Sequence, residues 1–183
     1  MENVLAAIAA AHAQGMPVDM IRDGLMTFLP SGAATPGRMN VLRTARGTLI
    51  VDYAHNPAAL RGLMDVALRM EARRRIGLVA MPGDRRDDDL RELGQIASVL
   101  DYVIAKEHGH YRRGRAPGES AALIAEGLRA GGMGEDRYEL VPEEPDAVAR
   151  ALEMMRPGDL VVVLADDLPA VMAQLRPLVD AEG

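Results

Sequence analysis

A chain of 183 residues, 49% hydrophobic and 26% charged, is long enough for one substantial core and has an ordinary soluble composition. The absence of Cys excludes disulfides, thiolate metal sites and a cysteine nucleophile, and a formal net charge of −6 argues against a dedicated nucleic-acid binder. No apolar run approaches the roughly 20 residues that a spanning helix needs, and the apolar N-terminus lacks the basic start of a secretion signal. A soluble, cytoplasmic protein without membrane or nucleic-acid partners is therefore expected.

Aromatic residues are scarce at 3%, so the core must be built from Leu, Val, Ile, Ala and Met. Two helical patterns come first. Residues 3–14 place Val4, Leu5, Ile8 and Ala11 on one face, and 17–28 begin at Pro17 and space Ile21, Leu25 and Phe28 by four and three. The stretch LPSGAATPG that follows is rich in Pro, Gly, Ser and Ala and reads as a hinge.

Beyond the hinge the period changes. Strand-length apolar runs at 39–43, 48–52, 76–81, 102–105, 138–141 and 159–164 are separated mostly by helical patterns at 57–72, 86–100, 118–130, 144–155 and 168–179. Near-continuous apolar strands alternating with helices predict a mainly parallel sheet covered on both faces. The first two strands are joined by TARG, too short for a helix, and should form an antiparallel hairpin. The expected fold is α/β: a six-stranded, doubly wound, Rossmann-like sheet with an antiparallel N-terminal strand, preceded by a short helical segment.

Ligands of open parallel sheets bind beyond the carboxyl ends of the strands, and here those ends are polar. The second strand runs into Asp52, Tyr53, His55, Asn56 and Pro57; the third into PGDRRDDDL; the fourth into KEHGHYRRGRAPGE; the last into Asp166 and Asp167. Plain structural roles account for part of this. Asn56 and Pro57 have the form of a helix N-cap and first helical residue, and Asp87, Asp88 and Asp89 suit a helix N-terminus. His108 and His110 lack a third ligand nearby, so no metal site is expected. Arg112, Arg113 and Arg115 form either a solvated loop or a clamp for carboxylate or phosphate. Neither a G-x-x-x-x-G-K-[ST] phosphate loop, nor a G-x-G-x-x-G after the first strand, nor a G-x-S-x-G elbow is present.

PGRMNV (36–41) followed by VDYAHNPAAL (51–60) resembles the C-terminal domain of the Mur ligase family of ATP-dependent amide-bond ligases. With PGDRRDDDLRELGQIA (82–97), RGRAPGE (113–119) and PGDLVVVLADD (157–167), the resemblance narrows to the Mur-ligase-like C-terminal part of the cyanophycin synthetases. It implies that residues 1–29 are the closing helices of the central ATPase domain, 30–36 the hinge and 37–183 the C-terminal domain. The chain would then begin inside the central domain and be part of an enzyme, inactive alone, with the rest of the ligase chain as partner and homo-oligomers formed through the full-length enzyme. ATP and Mg²⁺ would be held mainly by the central domain. The resemblance further implies that Arg38 reaches the ATP phosphates and Asp52 the ribose hydroxyls, while His55 and Asn56 shape the same loop. For an incoming arginine, Asp84, Glu107 and Glu119 would face the guanidinium, and Arg85, Arg113 or Arg115 the α-carboxylate. His108-Gly109-His110 stands where an acidic run is expected after Lys106-Glu107, which leaves another amino acid or a dipeptide open as acceptor. A peptidoglycan-type or folylpolyglutamate ligase domain, and a non-catalytic binding remnant, are the alternatives.

Overall fold

The computed structural model describes residues 2–28, 35–107 and 109–180. The hinge expected at 30–36 lies mostly outside them, as does His108. The chain divides into two compact units, Met1–Pro30 and Ser31–Gly183. In the first, α1 (Glu2–Ala13) and α2 (Val18–Thr27) enclose an apolar cleft of about 200 Å³ lined by Ile8, Met20, Ile21 and Leu25 among others. None of the described residues of this unit is buried within it.

The second unit is the α/β body. Its strands are β1 (Asn40–Thr44), β2 (Gly47–Asp52), β3 (Arg74–Val79), β4 (Tyr102–Glu107), β5 (Tyr138–Glu143) and β6 (Asp159–Leu164), in the order β1-β2-β6-β3-β4-β5. Only β1 and β2 pair antiparallel, through the short turn from Thr44 to Gly47; the other neighbours are parallel. The mainly parallel sheet with one antiparallel N-terminal strand is thus present.

Alternation along β6 shows how the two faces are filled. Leu160, Val162 and Leu164 pack with α3 (Pro57–Arg69), α4 (Asp87–Ala97) and α5 (Glu119–Ala130), while Val161 and Val163 pack with α6 (Glu144–Met154) and α7 (Leu168–Asp180). With both faces covered, all six residues of β6 are buried and the strand must be continuously apolar after Asp159. α4 and α5 approach backbone to backbone: a Cβ on Gly127 would stand 1.9 Å from the Arg91 carbonyl oxygen, and one on Gly94 2.1 Å from that of Ile124. Only glycine fits either position.

The strand limits differ from expectation where charges are involved. β3 begins at Arg74 rather than 76, because Arg74 binds the Asp159 carboxylate at 2.7 Å and Arg75 binds carbonyls at the end of α3, Ala67 at 3.0 Å and Met70 at 2.7 Å. β4 runs on through Lys106 and Glu107, both buried.

Candidate functional site

The sheet order sets the carboxyl ends of β2, β6, β3 and β4 side by side, so their polar loops form one rim. At the β2 end, Leu49, Ile50 and Val51 are fully buried and the chain reaches the surface at Asp52. Asn56 caps α3, its side-chain oxygen accepting the Ala59 N–H at 2.9 Å, with Pro57 at the first helical position.

The loop before β1 folds onto this junction. Asp52 Oδ2 accepts the Met39 N–H at 2.7 Å, and the Tyr53 N–H donates to the Gly37 carbonyl at 2.8 Å. Asn40, buried, accepts the Gly37 N–H at 2.7 Å and donates to the Thr35 carbonyl at 2.9 Å. Met39 is held at φ 48°, a left-handed conformation unusual for a side chain of its size, and the surrounding bonds keep it there. Arg38 is thereby placed next to Asp52, its guanidinium 5.8 Å from the Tyr53 ring centroid. His55 Nδ1 lies 3.1 Å from the Tyr53 carbonyl oxygen. A carbonyl only accepts, so Nδ1 is the donor of this bond, which leaves Nε2 outside it.

Tyr53 also reaches the loop after β4. Its hydroxyl hydrogen-bonds that of Tyr111, at the end of the 3₁₀ turn Gly109–Tyr111, and this bond is the main cause holding the Tyr111 pKa above the ordinary phenol value. Arg113, at φ 51°, lies 5.5 Å from the Tyr111 ring centroid. A continuous row, Arg38–Tyr53–Tyr111–Arg113, therefore links the β2 cluster to the β4 cluster. The tyrosines were not singled out from sequence; their one signal was position, immediately beyond strand ends. His110 is exposed with its ring edge-on to Tyr111, and among the described residues no three His, Cys, Asp or Glu gather as a metal site.

The acceptor candidates divide into open and closed groups. Asp84 and Arg85 are exposed and face each other at 4.0 Å. Arg115 is closed: its guanidinium donates to the Gly83 and Arg85 carbonyls at 2.7 Å each and to Asp87 and Glu119 at 2.8 Å each. Glu119 in turn accepts the Ala116 N–H at 3.0 Å; that bond, then Arg115, lowers its pKa. Arg115, one of the arginines expected at the substrate α-carboxylate, and Glu119, expected at the guanidinium, bond to each other here and tie the 82–87 loop to the start of α5. Glu107 is likewise buried: Oε1 accepts the Gly118 N–H and lies 3.9 Å from Arg112, while Oε2 has no partner among the described residues.

Beneath the rim lies a residue that sequence reasoning missed. Lys106 is fully buried, with Nζ 2.7 Å from Glu144 and 2.8 Å from Asp166. Glu144 also accepts the N–H groups of Asp166 and Asp167 at 2.9 and 2.8 Å, which fixes the β6–α7 loop. Desolvation opposes ionisation of Glu144, but Lys106 and these bonds outweigh it and its pKa is lowered.

The family model described as Mur ligase, glutamate ligase domain matches residues 37–166. The chain is 44% identical over 167 residues to cyanophycin synthetase of Synechocystis sp., covering 91% of this chain and 19% of that protein. It is 35% identical over 163 residues to UDP-N-acetylmuramoyl-L-alanyl-D-glutamate--2,6-diaminopimelate ligase of Alkalilimnicola ehrlichii, covering 88% and 30%. Among solved structures, it superposes with a TM-score of 0.67 and 25% identity on a bifunctional folylpolyglutamate synthase/dihydrofolate synthase with Mn, AMPPNP and L-glutamate bound, covering 93% of this chain and 38% of that one. The chain spans about a fifth of the length of the cyanophycin synthetases it matches.

Proposed function

This chain belongs to the Mur ligase, glutamate ligase domain family, and we propose that it is the C-terminal domain of an ATP-dependent amide ligase of the cyanophycin synthetase type. Residues 1–29 would be the last helices of the central ATPase domain, 30–36 the hinge and 37–183 the domain that closes over the nucleotide. The uncovered apolar residues of α1 and α2 support the first assignment, since a helix pair without buried residues in α2 needs a neighbour to cover it.

The observation that carries the reading is the loop that sets Arg38 beside Asp52 at the β2 end, fixed by the Met39–Asp52 bond. A guanidinium fork suits phosphate oxygens, and an ionised carboxylate accepts from ribose hydroxyls. ATP supplies the phosphoryl group that activates a substrate carboxylate, and an amino acid's amine then displaces phosphate to form the amide. His55 Nε2 and Asn56 complete the nucleotide-facing loop. Mg²⁺ would be held mainly by the central domain. On the acceptor side, exposed Asp84, Arg85 and Arg113 would touch the incoming amino acid, arginine being the candidate. Glu107, Arg115 and Glu119 would shape that subsite from behind.

Two results test this. The purified chain alone should release no phosphate from ATP and form no amide, because it brings no phosphate loop; turnover above buffer would overturn the division of labour. Grafted as residues 37–183 in place of the matching domain of the Synechocystis enzyme, it should support ligation, and Arg38→Ala should then lower kcat/KM for ATP about 10–100-fold, the loss of charged hydrogen bonds worth roughly 1.5–3 kcal/mol. An active graft indifferent to Arg38→Ala would remove Arg38 from the site.

A further inference from the structure

At the opposite, amino edge of the sheet, arginines collect around a second concavity of about 450 Å³ lined by Arg73, Arg74, Arg156, Pro157 and Asp159. Among the described residues Asp159 is the only carboxylate lining it, and it is already covered: Arg74 Nη2 lies 2.7 Å from Asp159 Oδ2, which also accepts the Arg156 N–H at 2.9 Å. Arg74 additionally donates to the Met154 carbonyl at 2.7 Å, and Arg46 beside it donates to Leu152 and Met155 carbonyls at 2.6 and 3.0 Å. These two guanidiniums neutralise the carbonyl end of α6 and are used up.

Arg73 and Arg156 are not. Their side chains pair with no carboxylate among the described residues, although both line the same cavity. Arg73 is nevertheless held in place. Its N–H donates to the Gly158 carbonyl at 2.8 Å, and its stem lies so close to Gly158 (φ 89°) that a Cβ there would stand 2.7 Å from Arg73 Cδ. Arg73 immediately precedes β3 and Arg156 opens the 156–158 turn, so two exposed arginines from separate segments line one hollow. With Asp159 already paired to Arg74, the three arginines leave the lining net positive, and such an excess concentrates the field of that sign, here in a chain whose overall charge is −6.

We propose that this cleft is an anion site for a small multivalent phosphate compound, separate from the carboxyl-edge site. Two guanidinium forks at one cavity match a tetrahedral phosphoryl group, whose oxygens accept from several directions, better than a planar carboxylate, which takes one fork along its edge. The volume lies within the roughly 300–1,000 Å³ range of small-molecule pockets, so the site takes a molecule with more than one charged group.

Inorganic pyrophosphate is the probe, titrated calorimetrically into the 183-residue protein. Arg73→Gln/Arg156→Gln should weaken binding at least tenfold with the melting temperature unchanged, since neither side chain pairs with a carboxylate among the described residues. A charge-matched pair on α3 and α4, Arg61→Gln/Arg91→Gln, should weaken it less than twofold, and succinate should bind the native protein at least fivefold more weakly than pyrophosphate. No measurable pyrophosphate binding, unchanged affinity in the first pair, or equal weakening in both pairs would overturn the site. Succinate binding as tightly as pyrophosphate would overturn its assignment to phosphate.

Discussion

Replacing Lys106 with alanine should lower the free energy of unfolding by about 3–5 kcal/mol, the usual cost of leaving buried charges without their partner. The ammonium is fully buried and lies within 2.8 Å of both Glu144 and Asp166. Without it, two carboxylates face each other across a desolvated gap, and the β6–α7 loop they hold is strained with them. The measurement is the urea midpoint at constant m-value. Lys106→Met/Glu144→Gln, which removes one of the stranded charges, should recover at least 1 kcal/mol relative to Lys106→Met alone. A Lys106→Ala loss below about 1 kcal/mol would mean that water replaces the ammonium freely, contrary to its burial.

Glu144 adds a pH dependence of definite sign. Its folded pKa is lowered, so ionised Glu144 stabilises the protein above the unfolded carboxylate value of about 4.3, and that contribution fades as pH falls through the folded pKa. Acid unfolding should therefore begin below the ordinary carboxylate range, and in Lys106→Met it should begin at higher pH.

The body of the sheet was legible because its signals are local. Six apolar runs and the TARG turn needed only their neighbours to be read, and Asn56-Pro57 caps α3 with a bond three residues away. The failures share one cause: in sequence, charge reads as contact with water. Lys106 and Glu107 fall just past the apolar run of β4, and Arg74 and Arg75 just before that of β3. In the structure these charges are strand residues whose partners are remote in sequence, Asp166 lying 60 positions from Lys106 and Asp159 85 from Arg74. The rim itself was legible as a place, from polar residues at consecutive strand ends. Which of those residues face outward was not, because Arg115 and Arg113 have the same composition around them and opposite fates.

Arg115 accordingly carries the second large effect. Its fork joins two carbonyls and two carboxylates from the 82–87 loop and α5 at 2.7–2.8 Å, with the side chain only 14% exposed. Arg115→Ala should cost about 2–4 kcal/mol, a few charge-assisted bonds that are not additive. Arg115→Lys, with a point charge in place of a planar fork, should restore less than half of that loss. Kinetics in the grafted enzyme separate this clasp from a substrate clamp. A clamp would raise KM for the amino acid while leaving KM for ATP and the melting temperature in place. A clasp that positions the loop of Asp84 and Arg85 lowers the melting temperature first, and the amino-acid KM then recovers in step with stability in Arg115→Lys. If Arg115→Ala melts like the native protein and loses only amino-acid affinity, the four internal bonds are exchanged for substrate on binding, and the guanidinium belongs to the open side of the rim beside Arg113.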